Sequence, residues 1–267
     1  MIENEFDNDT KYRLFRTVRE ILHPTISKKN ISDYIVVMSD ETLPIRVFYP
    51  KKISDIKKII IFVHGDGKIT SCHGRYSNIC KDISIRLDSL VIGLEYDEEK
   101  PMKETIKEIK ETISYIYDGL EKNDKKDEDI VLMGDSTGCI LIESIHKKEL
   151  VSKIKKEIFC YPLLSINFLD EKYPSVERNM EFNMNLKKDT EDFFKKNDIP
   201  KTKESKNEIK QLILVGTVDS TIDGIKDYYK EKEYSKIVDL PFASHGFLRK
   251  MDQELSEEFY QEISDFL

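Results

Sequence analysis

The chain has no tryptophan, and its four cysteines, Cys72, Cys80, Cys139 and Cys160, show no CxxC or Cys/His spacing. That excludes a cysteine-held zinc set and a disulfide frame, and fits four free thiols in a reducing compartment. No run of about 18 apolar residues occurs, so no membrane insertion is expected. The first residues, MIENEFDNDTKYR, lack an apolar core behind a basic stretch, so no secretory signal and a cytoplasmic location are expected. Basic excess is missing too. Lysines alternate with acids and the net charge is -8, which argues against a nucleic-acid partner. Neither an internal repeat nor a low-complexity tract stands out.

What is present is a globular composition. With 39% hydrophobic and 35% charged residues, the chain can bury a core beneath a highly charged surface. Its 267 residues suit a single α/β domain, 1–267, that carries an insertion.

The chain is organised around Ile130 to Ile140, IVLMGDSTGCI. An apolar run reaches Gly134, a serine sits between two glycines as Gly134-Asp135-Ser136-Thr137-Gly138, and a helix-compatible segment follows. This is the layout of a nucleophile elbow, a sharp strand-to-helix turn that lifts a serine hydroxyl clear of the sheet. The glycines are needed because strand and helix meet too closely for side chains. Ser136 is therefore the first candidate for chemistry.

The flanking segments alternate between strand and helix. Residues 10 to 23 read as an amphipathic helix, either a packing helix or part of a cover over a site. Residues 31 to 38 and 44 to 49 read as a hairpin at a sheet edge, where Pro44 is tolerated. Lys58 to Val63 is a short β-branched run typical of a strand buried on both faces. It ends at His64-Gly65-Asp66-Gly67, which is either a plain turn or a loop whose bare N–H groups point into the crevice at the strand's end. A helix from Tyr76 to Leu87, a strand at 90–94 and a helix over 102–120 follow; the last has apolar residues at unbroken three-and-four spacing. Beyond the elbow come a strand at 157–161 and an excursion at 163–208 with no long apolar run, where a small helical cap is expected. A strand at 211–215, a helix at 222–232, a strand at 236–240, the loop 241–246 and a final helix complete the chain. This alternation predicts a mostly parallel, doubly wound sheet.

A serine hydroxyl needs a base, and the base needs an orienting acid. On such a fold the expected order is serine, acid, histidine. His23, His64 and His73 precede Ser136, and His146 lies too far along the elbow's own helix to fold back. His245, beside Gly246 in the last loop, remains. For the acid, Asp219 follows the strand at 211–215. Asp223, in the first turn of the next helix, and Asp239, inside a strand, are its rivals.

These residues resemble the hormone-sensitive-lipase-like carboxylesterases of the α/β-hydrolase superfamily. The likeness is carried by PIRVFYP at Pro44 to Pro50, HGDG at His64 to Gly67, the GDSTG elbow, DSTID at Asp219 to Asp223 and SHGF at Ser244 to Phe247. It implies the α/β-hydrolase fold and a Ser136, His245, Asp219 triad. It implies an oxyanion hole in the Gly65-Asp66-Gly67 loop and at Thr137, from the N–H groups of Asp66, Gly67 and Thr137 above all. It also assigns 1–30 and 163–208 to a cap. The resemblance implies hydrolysis of short- or medium-chain carboxylic esters through an acyl-enzyme, with no metal and no cofactor. The expected partner is a small-molecule ester. Amide, formyl or thioester hydrolysis on the same triad is the nearest alternative, and a silent small-molecule binder the alternative of another class. Family members carry glycine where Asp66 stands, smaller residues at Thr137 and Cys139, and arginine and alanine where this chain has Asp97-Glu98-Glu99-Lys100.

Overall fold

A computed structural model describes residues 21–22, 35–39, 42–51, 56, 58–65, 75–97, 99–126, 129–145, 150, 152–183, 185–197 and 209–267. Eight strands form one sheet in the order β1-β2-β4-β3-β5-β6-β7-β8 among these residues. They are β1 (Ile35–Ser39), β2 (Thr42–Phe48), β3 (Ile59–Val63), β4 (Leu90–Leu94), β5 (Ile130–Asp135), β6 (Lys156–Cys160), β7 (Lys210–Gly216) and β8 (Ser235–Leu240). The first hairpin is antiparallel, β2 pairs antiparallel with β4, and every pairing from β4 to β8 is parallel.

The central strands are apolar at nearly every position because helices cover both faces. In β3, Ile59, Ile61 and Val63 enter one apolar layer, and Ile60 and Phe62 enter the other. Successive side chains of a strand point to opposite faces, so a continuous apolar run feeds two cores at once. Helix α1 (Arg75–Arg86) supplies Ile79 and Ile83 to one layer, together with Phe259 and Ile263 of α7 (Gln253–Phe266). The other layer takes Ile109, Ile113 and Ile116 of α2 (Met102–Glu121), Ile142 of α3 (Gly138–Ser144) and Ile225 of α6 (Ile222–Tyr229). Ile21 and Leu22 are buried in this second layer as well; the rest of the helix expected at 10–23 lies outside the described residues.

Between β6 and β7 the chain leaves the sheet. This excursion carries 3-10 turns at Ile166–Leu169 and Met180–Phe182, the short helix α4 (Pro174–Arg178) and helix α5 (Leu186–Lys196).

The expected hairpin lies at the edge of the sheet, with β1 outermost and β2 between β1 and β4. Pro44 is tolerated because the β1–β2 register shifts between Val37 and Ser39, which spares it a ladder partner on that side, while its carbonyl accepts the Glu95 N–H at 3.0 Å. Helix α6 ends at Tyr229, three residues short of the expected 232.

Candidate active site

The turn after β5 has the strain that its glycine spacing implies. Ser136 adopts φ +48, the left-handed region, with its N–H bonded to the Cys160 carbonyl at 3.0 Å. Its carbonyl accepts the Leu163 N–H at 3.1 Å, so the end of β6 holds the turn from both sides. Such backbone is costly for a non-glycine residue and persists where the surroundings over-determine it. Gly138 permits the approach of α3 to β3: a Cβ there would lie 2.2 Å from the Val63 carbonyl oxygen and 2.7 Å from the His64 carbonyl. These are backbone atoms that no rotamer change relieves. Gly138→Ala is therefore expected to cost about 3 kcal/mol through forced backbone shifts, read as a lower urea midpoint with an unchanged slope.

Three side chains from three loops converge at this turn. The Ser136 hydroxyl lies 3.0 Å from His245 Nε2, and His245 Nδ1 lies 2.9 Å from Asp219 Oδ2. Asp219 is fully buried, and its other oxygen accepts the Thr221 N–H at 2.9 Å and the Thr221 hydroxyl at 2.8 Å. Three donors thus satisfy the carboxylate. The rival acids go elsewhere: Asp223 accepts the Ser175 N–H at 2.8 Å, and Asp239 pairs with Lys226. His64 is buried at the end of β3, stacked between Tyr76 and Tyr96, whose hydroxyl donates to the His64 carbonyl. His23, His73 and His146 lie outside the described residues.

Two asparagines of the excursion hold the loops that carry acid and base. Asn179 donates through Nδ2 to the Asp219 carbonyl at 3.0 Å. Asn183 donates to the Val218 carbonyl at 3.0 Å, and its Oδ1 accepts the His245 N–H at 3.2 Å. One amide therefore bridges the acid loop and the histidine loop. Neither asparagine carries a sequence signal, because each acts on backbone 35 to 62 residues away.

Of the expected oxyanion residues, Gly65 and Thr137 are described and Asp66 and Gly67 are not. Gly65 departs from expectation: its N–H is bonded at 2.6 Å to Asp135 Oδ1, so it is turned to a carboxylate rather than to a reacting oxygen. Thr137 is buried at the entrance to α3. Beside it lies a narrow cleft whose walls mix Tyr96, Met102, Leu141 and Phe193 with Lys100, Thr105, Lys196 and Asn197. Burial pushes the thiols of Cys139 and Cys160 well above the ordinary cysteine value, which leaves them protonated and unreactive. Among the described residues, no cluster of His, Cys, Asp or Glu has the makings of a metal site, and no helix is long and apolar enough to cross a membrane.

The sheet order, the strained serine turn between β5 and α3 and the late histidine loop define the α/β-hydrolase fold. The chain's structure is similar over 98% of its length to the Francisella virulence factor BioJ, with a TM-score of 0.72 at 22% identity and 92% of that chain covered. It is similar to an esterase from the bacterial hormone-sensitive lipase family, with a TM-score of 0.66 at 13% identity and 98% of both chains covered. In sequence, 146 residues are 29% identical to arylacetamide deacetylase-like 3 of Mus musculus, 52% of this chain and 35% of that protein. The chain's matches span 35% and 42% of the curated relatives' own length. No protein-family model matches.

Proposed function

We propose that the protein is a serine hydrolase that cleaves small carboxylic esters with a short or medium acyl group through an acyl-enzyme. The reading is carried by one observation, the unbroken relay from Ser136 through His245 to buried Asp219 at 3.0 and 2.9 Å. His245 Nε2 accepts the Ser136 proton as the hydroxyl oxygen attacks the ester carbonyl carbon. Asp219 holds the ring so that Nδ1 carries a proton and Nε2 a lone pair. The tetrahedral adduct collapses as His245 returns the proton to the departing alcohol. Water then attacks the acyl-serine by the same route and releases the acid.

The adduct's negative oxygen needs donors, and the resemblance assigns these to the N–H groups of Asp66, Gly67 and Thr137. Each such donor is typically worth about 3 kcal/mol of transition-state stabilisation. The excursion at 163–208 serves as the cap over the site, a role supported by the Asn179 and Asn183 ties to the triad loops. The narrow cleft beside Thr137 supports an acyl group of modest size.

The assay is release of p-nitrophenol from the acetate and butyrate esters, paired with mass-spectrometric mapping of a fluorophosphonate adduct. Turnover of at least one ester with the adduct on Ser136 is the expected result. Folded protein that neither turns over nor labels would reject the reading.

A further inference from the structure

Asp135 takes no part in the relay, yet it is the most heavily engaged carboxylate beside it. The side chain is fully buried, and Oδ1 accepts the Gly65 N–H at 2.6 Å. Its Oδ2 accepts the Tyr161 hydroxyl at 2.9 Å, and the Tyr76 hydroxyl, 3.2 Å from Oδ2, lies 3.1 Å from the Gly65 carbonyl as well. Arg249 donates to the Tyr76 oxygen at 2.9 Å, so the nearest positive charge is one hydroxyl removed. Among the described residues no cation touches the carboxylate itself. A buried charge kept without a direct partner costs several kcal/mol and calls for a reason beyond packing.

Two of the groups bonded to Asp135, Gly65 and Tyr161, lie against the serine turn and the histidine. Gly65 opens the loop after β3. A Cβ on Gly65 would lie 2.4 Å from the Asp135 carbonyl oxygen, so loop and elbow are in close contact there. Tyr161 follows β6 in left-handed backbone at φ +38, and its ring meets the His245 ring edge-on with centroids 5.0 Å apart. Asp135 itself precedes the nucleophile. One carboxylate thus bonds Gly65 at the end of β3 and Tyr161 beside the histidine.

We infer that Asp135 is a positioning residue, whose carboxylate fixes the Gly65 loop and Tyr161 against the Ser136 turn so that the transition state, more than substrate binding, depends on it. The inference rests on the serine hydrolase reading. Its physical basis is the match of donors to acceptors. The Gly65 N–H and the Tyr161 hydroxyl donate to opposite oxygens of Asp135, the arrangement that an ionised carboxylate accepts best.

Burial pushes the Asp135 carboxyl above its ordinary value, opposed by the Gly65 N–H, the Tyr161 hydroxyl and the charges of Arg249 and His64. Tyr76, Arg249 and the buried thiols of Cys80, Cys139 and Cys160 also face it. The thiols and Tyr161 are pushed upward by burial and stay neutral in acid. Because the carboxyl is raised, the activity that depends on its ionised form is lost as pH falls through its value.

The test uses Asp135→Asn, Asp135→Ala and Tyr161→Phe in the full chain, with p-nitrophenyl butyrate as substrate and circular dichroism as the check on folding. Asparagine keeps an acceptor for Gly65, so kcat should fall about 10-fold with KM within about 2-fold; alanine, which frees the loop, should cost about 100-fold in kcat. Tyr161→Phe should fall between wild type and alanine. The acid limb of log kcat/KM against pH should be steeper in the wild type than in Asp135→Asn. A folded alanine variant with wild-type kcat, a loss confined to KM, or an acid slope unchanged in Asp135→Asn would overturn the inference. If alanine fails to fold, the slope of the asparagine variant decides. Wild-type protein inert to ester and probe would instead reject the hydrolase reading, and this inference with it.

Discussion

Ser136→Ala lowers kcat by about 10⁵-fold and abolishes the fluorophosphonate adduct, while the thermal midpoint stays within about 2 °C of the wild type. The first half follows from chemistry: without the hydroxyl no acyl-enzyme forms, and removal of a triad nucleophile leaves only what binding and oxyanion donors provide. The second half follows from geometry. Alanine keeps the serine Cβ, so the strain at φ +48 and the ties to the Cys160 carbonyl and the Leu163 N–H are unchanged. The variant loses one hydrogen bond to a histidine side chain that is 11% exposed, where water can replace it. A variant that kept a tenth of the activity would place the nucleophile elsewhere.

Asp219→Asn is the second large effect, a fall of about 10⁴-fold in kcat with KM little changed. Asp219 receives three donors, the His245 Nδ1–H and the two groups of Thr221. Asparagine has one acceptor oxygen. If that oxygen stays with Thr221, the amide NH2 faces His245 Nδ1 and forces the ring's proton onto Nε2. The ring then cannot accept the Ser136 proton. Nitrogen-15 NMR of the histidine ring reads the tautomer directly, and kcat reads its consequence. Activity within tenfold of the wild type would show that the acid is not needed to orient the ring.

Much of this was legible in the sequence, for identifiable reasons. Strands such as IIIFV and helix α2 follow from periodicity, because burial on two faces or on one stripe leaves a direct imprint on residue order. The serine turn announces itself because backbone collisions at Gly138 admit no side chain. His245 and Asp219 follow from chain order, which a parallel sheet with its loops at one end imposes. Asp135 was hidden for the opposite reason. It occupies the free position of G-x-S-x-G, where the pattern specifies nothing, and its partners Gly65, Tyr76 and Tyr161 are brought to it only by the sheet. The hairpin at the sheet edge was legible, but the pairing of β2 with β4 was not, because one sequence does not reveal that crossover.

The amide of Asn183 makes the β6–β7 excursion hard to treat as a part that can be exchanged. Substrate range in such an enzyme would be altered by transplanting this segment from a relative. Yet the same residues supply the bridge from Val218 to His245, and so set the spacing of acid and base. A transplant that lacks asparagine at 179 and 183 changes catalytic geometry along with pocket shape, and its lower turnover would be mistaken for poor substrate fit. If the proposed function holds, specificity and turnover are set by the same stretch of chain, and either can be redesigned only with the other held in view.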